Sequence, residues 1–250
     1  MSLTLTNIPT IMRANKWPRG ADLMDGWFSR NVAIAPKYGP PDTTTITMAW
    51  VLGFPRARAV FDQLVKDKVW SNEAARKQIG KMLRAKGLLA PGTRSFGDLG
   101  ARVEVQDPDY VNFRVVGFSF TDTDDMSAAL GNFLFRVVVA GSVTGAPAAP
   151  AKGASTPGKP ASPAMPTYQV KLTEVGIYVA DSYDFNGDQE LGFWNEKKNT
   201  MSMINPFAGT EVSNSDFRAW RTAHNKGGDF RVLSDVKRVP LPAPETFDVQ

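Results

Sequence analysis

The sequence predicts an α+β protein: a bent antiparallel sheet or half-barrel, basic helices from the N-terminal part, and one late helix packed on the sheet. Three observations predict it. Gly (21) and Pro (18) are frequent among the 250 residues, which points to many turns and a β-rich fold. Two strand-like runs, 133–143 (FLFRVVVAGSV) and 168–180 (YQVKLTEVGIYVA), flank a low-complexity segment. Apolar residues recur at helical spacing in 55–70, 71–86 and 215–225. With 42% hydrophobic and 22% charged residues the chain falls in the globular range, not the disordered or fibrous one.

Each element has its own signal. Trp17, Leu23, Met24, Trp27 and Phe28 form a short amphipathic aromatic stretch, read as core rather than as a membrane anchor. Residues 43–50 (TTTITMAW) read as a strand from their β-branched content. Pro55 opens a helix with Val60, Phe61, Leu64, Val65 and Val69 on one side. Ser71 caps a second, with Ala75, Ile79, Met82 and Leu83 on one face and Gly87 as its stop. Strands follow near 102–105 and 112–120, then a short helix from Thr123 whose first turn holds Asp124 and Asp125. Along 168–180 the apolar parity changes from Tyr168, Val170 and Leu172 to Val175, Ile177 and Val179, which predicts a bulge near Thr173–Glu174. Asn186-Gly187 reads as a hairpin turn returning through Leu191, Phe193 and Trp194. Asn214 or Ser213 caps the late helix, Gly227-Gly228 ends it, 229–236 returns as a strand, and the tail beyond Pro240 reads as loose.

Residues 144–167 are almost wholly Ala, Pro, Gly, Ser, Thr and Lys, a composition that cannot offset its own ordering entropy. The chain therefore divides into an N-terminal α+β part (1–143), a flexible insertion (144–167) and a C-terminal β-rich part (168–250). The insertion is either a linker between domains or the tip of a hairpin within one sheet. The second is preferred because closure entropy grows slowly with loop length.

Composition removes several chemistries. Without cysteine there is no disulfide, thiolate zinc site or cysteine nucleophile, and with His224 as the one histidine any metal would need carboxylate oxygens. The first twenty residues lack a basic segment followed by a continuous apolar run. The chain is therefore expected to be made in the cytoplasm and to leave it without a cleaved signal. Net charge is +4, but residues 168–250 carry −3 and residues 1–167 carry +7. A basic front and an acidic rear suggest an anionic contact and a carboxylate-lined site.

Two constellations could carry chemistry. Asp181-x-Tyr183-Asp184 brings two carboxylates and a phenol to one strand end, able to bind a divalent cation (Mg or Ca) or to pair a base with its orienting acid. The competing reading is a turn whose acids satisfy backbone N–H groups. Asp184, Asn186 and Asp188 alternate like calcium ligands but miss the EF-hand template, since Gln189 and Asn195 stand at its sixth and twelfth positions. In the late helix, Arg221 and His224 lie one turn apart and could clamp a phosphate and move a proton, while Phe217 and Trp220 read as core. The basic helices carry Arg56, Arg58, Lys66, Lys68, Arg76, Lys77, Lys81, Arg84 and Lys86. No base-reading helix stands out, so an anionic membrane surface or a secretion partner is preferred to nucleic acid. No phosphate-binding Gly loop, GxSxG elbow or Ser/His/Asp triad is visible.

Ile8-Pro9 with the aromatic segment after it, the run Asp181 to Trp194 (DSYDFNGDQELGFW), and the run Asn214 to Phe230 (NSDFRAWRTAHNKGGDF) followed by Ser234-Asp235 resemble the domain-of-unknown-function 6402 family. That resemblance implies a proteobacterial cargo effector associated with type VI secretion spikes, with a spike or adaptor protein and a cognate immunity protein as partners. No reaction comes with it. Asp181-x-Tyr183-Asp184 is also similar to the catalytic Asp-x-Tyr-Asp of the colicin M family, which cleaves the lipid-linked peptidoglycan precursor on a curved, barrel-like sheet. The family's His-Arg pair is replaced here by Glu190-Leu191, so Arg221 and His224 would have to supply it. The expectation is thus an antibacterial effector acting as a metal-assisted phosphoesterase. Asp181 and Asp184 would hold the metal or act as base, Tyr183 would position phosphate, Arg221 would stabilise charge and His224 would protonate the leaving group. The rivals are a non-enzymatic adaptor or cargo protein on the spike, and a nuclease toxin.

Overall fold

The computed structural model describes residues 3–119, 121, 123–145 and 167–249. In chain order the first elements are α1 (Ile8–Ala14), α2 (Pro18–Ser29), β1 (Gly39–Asp42), α3 (Met48–Val51), α4 (Pro55–Lys66) and α5 (Glu73–Ala85). Then come β2 (Gly92–Phe96), α6 (Val103–Gln106), β3 (Asn112–Val116), α7 (Asp125–Leu130) and the long strands β4 (Phe133–Gly145) and β5 (Tyr168–Tyr183). The chain ends with β6 (Glu190–Asn195), β7 (Thr200–Ser202), β8 (Thr210–Ser213), α8 (Asn214–His224), β9 (Phe230–Leu233), β10 (Lys237–Val239) and β11 (Glu245–Val249).

The α+β class expected from the sequence is the class observed. Hydrogen bonding orders the larger sheet β1-β9-β5-β4-β2, with β10 and β11 also on β5 and β3 on β4, while β7-β6-β8 form a small sheet of their own. β5 pairs antiparallel with β9, β10 and β11, β4 with β2, and β1 runs parallel to β9. By contact the chain forms two compact units: unit 1 from 1–62, 114–135 and 178–235, and unit 2 from 63–113, 136–177 and 236–250. Of the expected flexible segment 144–167, residues 146–166 lie outside the described residues, and 144–145 close β4.

In unit 2, α5 is capped by Asn72, whose side chain accepts from the Ala75 N–H. Its face of Ala75, Ile79 and Leu83 is buried, and its positive-φ stop is Gly87 (φ 66°). The parity break of β5 lies where the sequence put it, with Thr173 and Glu174 both exposed between buried Leu172 and Val175. Its origin is a change of partner: β11 pairs as far as Leu172, and β10 takes over from Val175. Gly141 sits opposite this stretch because a Cβ there would lie 2.0 Å from the Lys171 carbonyl oxygen.

Several sequence expectations are corrected. The tail is ordered as β11 rather than loose, since Phe247 and Val249 are buried and Glu245 accepts from Trp70 Nε1 at 3.2 Å and pairs with Lys68 at 2.9 Å. The threonine run 43–47 is not a strand. Asp42 takes the N–H groups of Thr44 and Thr45, and Thr47 caps α3 by accepting from Trp50, so these side chains serve turns and caps instead of a ladder. Residues 103–106 are a helical turn, and Asn186-Gly187 is no hairpin: β6 pairs with β7 and β8, not with β5.

Unit 1 buries an aromatic cluster centred on Trp27 of α2. Its ring meets Phe185 edge-on at 4.8 Å and Phe217 at 5.6 Å, and Phe185 and Phe217 stack at 3.9 Å with planes 3° apart. Each such pair contributes on the order of 1 kcal/mol beyond its burial. Gly227, at φ 92°, lies under Trp27, where a Cβ would come within 2.5 Å of the indole. In α8 the expected N-cap is found, with Ser213 and Asp216 forming a capping box, but the helix ends at Asn225 in the left-handed region, ahead of the expected Gly227-Gly228 stop.

Candidate functional site

Unit 1 contains a pocket of about 340 Å³ at the end of β5. Asp181 and Tyr183 alternate along the strand and Asp184 follows, so the three reach the pocket together, as the sequence spacing implied. Its remaining wall is mostly apolar, with Met12, Met24, Leu191, Trp194, Met203 and Phe217 among the contributors. Methionine thioethers and aromatic rings give a polarisable, adaptable lining.

The three polar groups sit in different circumstances. Asp181 is held with its carboxyl well above the usual carboxylate range, chiefly by loss of solvent and then by the charge of Asp184, against a hydrogen bond from the Ser182 backbone. The Tyr183 phenol is pushed up by burial, by Asp181 and by Asp25, so it stays protonated. Asp184 accepts from the Ser182 hydroxyl and, at 3.2 Å, from the Asn186 N–H. Since the one Ser182 proton goes to Asp184, the 2.7 Å bond between Ser182 Oγ and the Tyr38 hydroxyl is completed by the phenol's proton.

Asp124 also lines the pocket, but its bonding is filled by Arg56 at 2.6 and 2.7 Å and by the Ser127 N–H. Burial raises its carboxyl and the bonds to Arg56 and Ser127 outweigh that, leaving it below its ordinary value. Among the described residues lining the pocket none is Lys, Arg or His.

Arg221 and His224 are not among them. Arg221 is 5% exposed, lies over the Trp27 ring at 5.2 Å and pairs with fully buried Asp229. His224 is exposed, stacks on Trp220 at 4.4 Å, and its Nδ1 lies 2.9 Å from the Trp220 carbonyl oxygen. Phe217 marks where α8 meets the pocket, and His224, seven residues on, stands about 10 Å further along the axis. The expected five-residue set is therefore split: Asp181, Tyr183 and Asp184 share the pocket, whereas Arg221 belongs to the core and His224 to the surface.

A divalent cation fits the carboxylates poorly. Calcium and magnesium take about six or more oxygen ligands, and the two carboxyls stand in a wall whose remainder is mostly apolar. Among the described residues no group of three or more His, Asp or Glu is placed to hold a metal ion.

Two residues matter that the sequence reading passed over. Asn214 Nδ2 donates to the Asn186 carbonyl at 2.7 Å, and Arg218 donates to the carbonyls of Phe185 and Gly187 and, at 3.3 Å, to Asp188. The first turns of α8 thus hold the 185–189 segment that follows Asp184. The signal was present in the two long motifs, which turn out to touch.

The family of unknown function DUF6402 matches residues 3–211 and 207–249. The chain belongs to that family. Both segments that form the pocket rim, the end of β5 and the start of α8, lie within the match. No curated protein and no solved structure matches the chain.

Proposed function

We propose that this DUF6402 protein works by binding, not by phosphoryl transfer: the unit 1 pocket takes a small, largely apolar molecule, and the protein acts as an adaptor or cargo component of a type VI secretion spike. One observation carries the first half. The pocket lies in the size range of ligand sites and combines a largely apolar wall with polar groups that include Asp181, Tyr183 and Asp184. The phosphoesterase scheme loses support because its charge stabiliser and proton donor are elsewhere: Arg221 is committed to Asp229, and His224 to the surface of α8. A phosphate would meet the Asp184 carboxylate with no cationic side chain among the described lining residues to offset it. The secretion half rests on the family resemblance. It is supported by an apolar contact point in the connection between β7 and β8, where Ile204 and Phe207 are 79% and 96% exposed.

The test has two arms. The neutral fluorophore N-phenyl-1-naphthylamine is expected to bind the purified chain saturably at one site, and Leu191→Trp, which fills a partly exposed position of the wall, is expected to remove that binding. Periplasmic expression is expected to be tolerated, with a spike protein co-purifying. Lysis of the host that disappears in Asp184→Ala would restore the enzymatic reading and overturn this one.

A further inference from the structure

The charge pattern of the pocket says what its occupant carries. A cavity of about 340 Å³ has more than twice the roughly 150 Å³ that holds benzene, so an aliphatic body of several carbons fits beside Met12, Met24, Leu191 and Trp194. Asp181 and Asp184, three residues apart at the end of β5, both line the cavity. The third acid of the wall, Asp124, is satisfied by Arg56, and no cationic side chain occurs among the described lining residues. Elsewhere in unit 1 the wholly buried Asp229 has a cationic partner, Arg221, together with Trp27 Nε1 and the Ala35 N–H. Among the described residues, Asp181 and Asp184 have hydrogen bonds from neighbouring backbone and from Ser182.

We infer that the occupant is a small organic amine with an apolar body, its protonated nitrogen seated at the Asp181–Asp184 end and its hydrocarbon against the methionine and tryptophan wall. This rests on the pocket being a binding site, as proposed above, and adds the chemical class. An ammonium donates in three directions, to the Asp184 carboxylate and to Asp181, which gives up its proton as the positive charge arrives, so the match is one of bonding capacity as well as charge. An anionic head group meets two acids and no counter-charge. A neutral alcohol gains the apolar contacts but only one donor.

The experiment is calorimetry on the whole chain with three ligands of equal length: n-octylamine, octan-1-ol and n-octanoate. Octylamine is expected to bind about tenfold or more tighter than octanol, as for a charge-assisted against a neutral hydrogen bond, and octanoate is expected not to bind. Asp184→Asn is expected to remove most of the amine's advantage and leave octanol unchanged. Octanol binding with an amine no tighter than it overturns the amine inference and leaves the pocket reading intact. Absence of binding by all three overturns both. The wild-type series decides the matter even if the variant fails to fold.

Discussion

Asp229 and Asp181 stand on neighbouring strand ends of unit 1 and meet opposite fates. Asp229 precedes β9, is wholly buried, and fills its oxygens with Arg221, the Trp27 indole N–H at 3.0 Å and the Ala35 N–H at 3.1 Å. Asp181, on β5 opposite Val232 of β9, faces a pocket with no cationic side chain among its described lining residues. Identical side chains thus take a place in the scaffold and a place in the pocket. The difference lies in whether the protein itself satisfies the carboxylate or leaves that to something else.

The largest effect should come from breaking the satisfied pair. Arg221→Met leaves Asp229 buried without its counter-charge, and a loss of about 3–5 kcal/mol is expected in urea unfolding. A loss under about 1 kcal/mol would erase the contrast, because Asp229 would then be no more dependent on its partner than Asp181 is.

The second prediction concerns pH. The folded protein holds the Asp181 proton above the pH at which the unfolded chain releases it. Its stabilising contribution is therefore fully present below the unfolded value of about 3.9 and is lost as pH rises through the folded value. Asp181→Asn should flatten that fall and leave the variant more stable than wild type at neutral pH, by on the order of 1 kcal/mol. A steeper fall in the variant, read from unfolding curves between acid and neutral pH, would show that Asp181 is instead stabilised as the anion.

The smallest effect is expected at His224. Its ring is exposed and only stacked on Trp220, so His224→Ala should change stability by no more than about 0.5 kcal/mol and leave N-phenyl-1-naphthylamine binding unaltered. A clear loss of binding would bring the imidazole back into the site.

Much of this was legible locally. α8 followed from periodicity and its N-cap, because Phe217 needed only one helical face to reach the core, and the aromatic stretch with Trp27 was legible as core. The joint placement of Asp181, Tyr183 and Asp184 followed from strand alternation. Misreadings arose where a side chain's partner lay far along the chain. The threonines of 43–47 have strand propensity, but Asp42 and Asp235 draw the adjoining backbone into turns. The tail looked polar and proline-rich, yet Trp70, Lys68 and β5 were waiting for Glu245 and its neighbours. Arg221 and His224 share a helical face on a wheel. One points to Asp229 and the other lies at the helix end, a distinction that periodicity does not carry.

By itself the sequence determined the class of fold, the absence of cysteine chemistry, the long helices and the acidic end of β5, since each depends on residues within a turn or a few strand positions of one another. Tertiary structure alone decided which charges are spent inside the protein. That depends on Arg221 turning to Asp229 beyond the end of α8, on Arg56 finding Asp124 in a distant segment, and on the want of a cationic side chain among the described residues that line the pocket with Asp181.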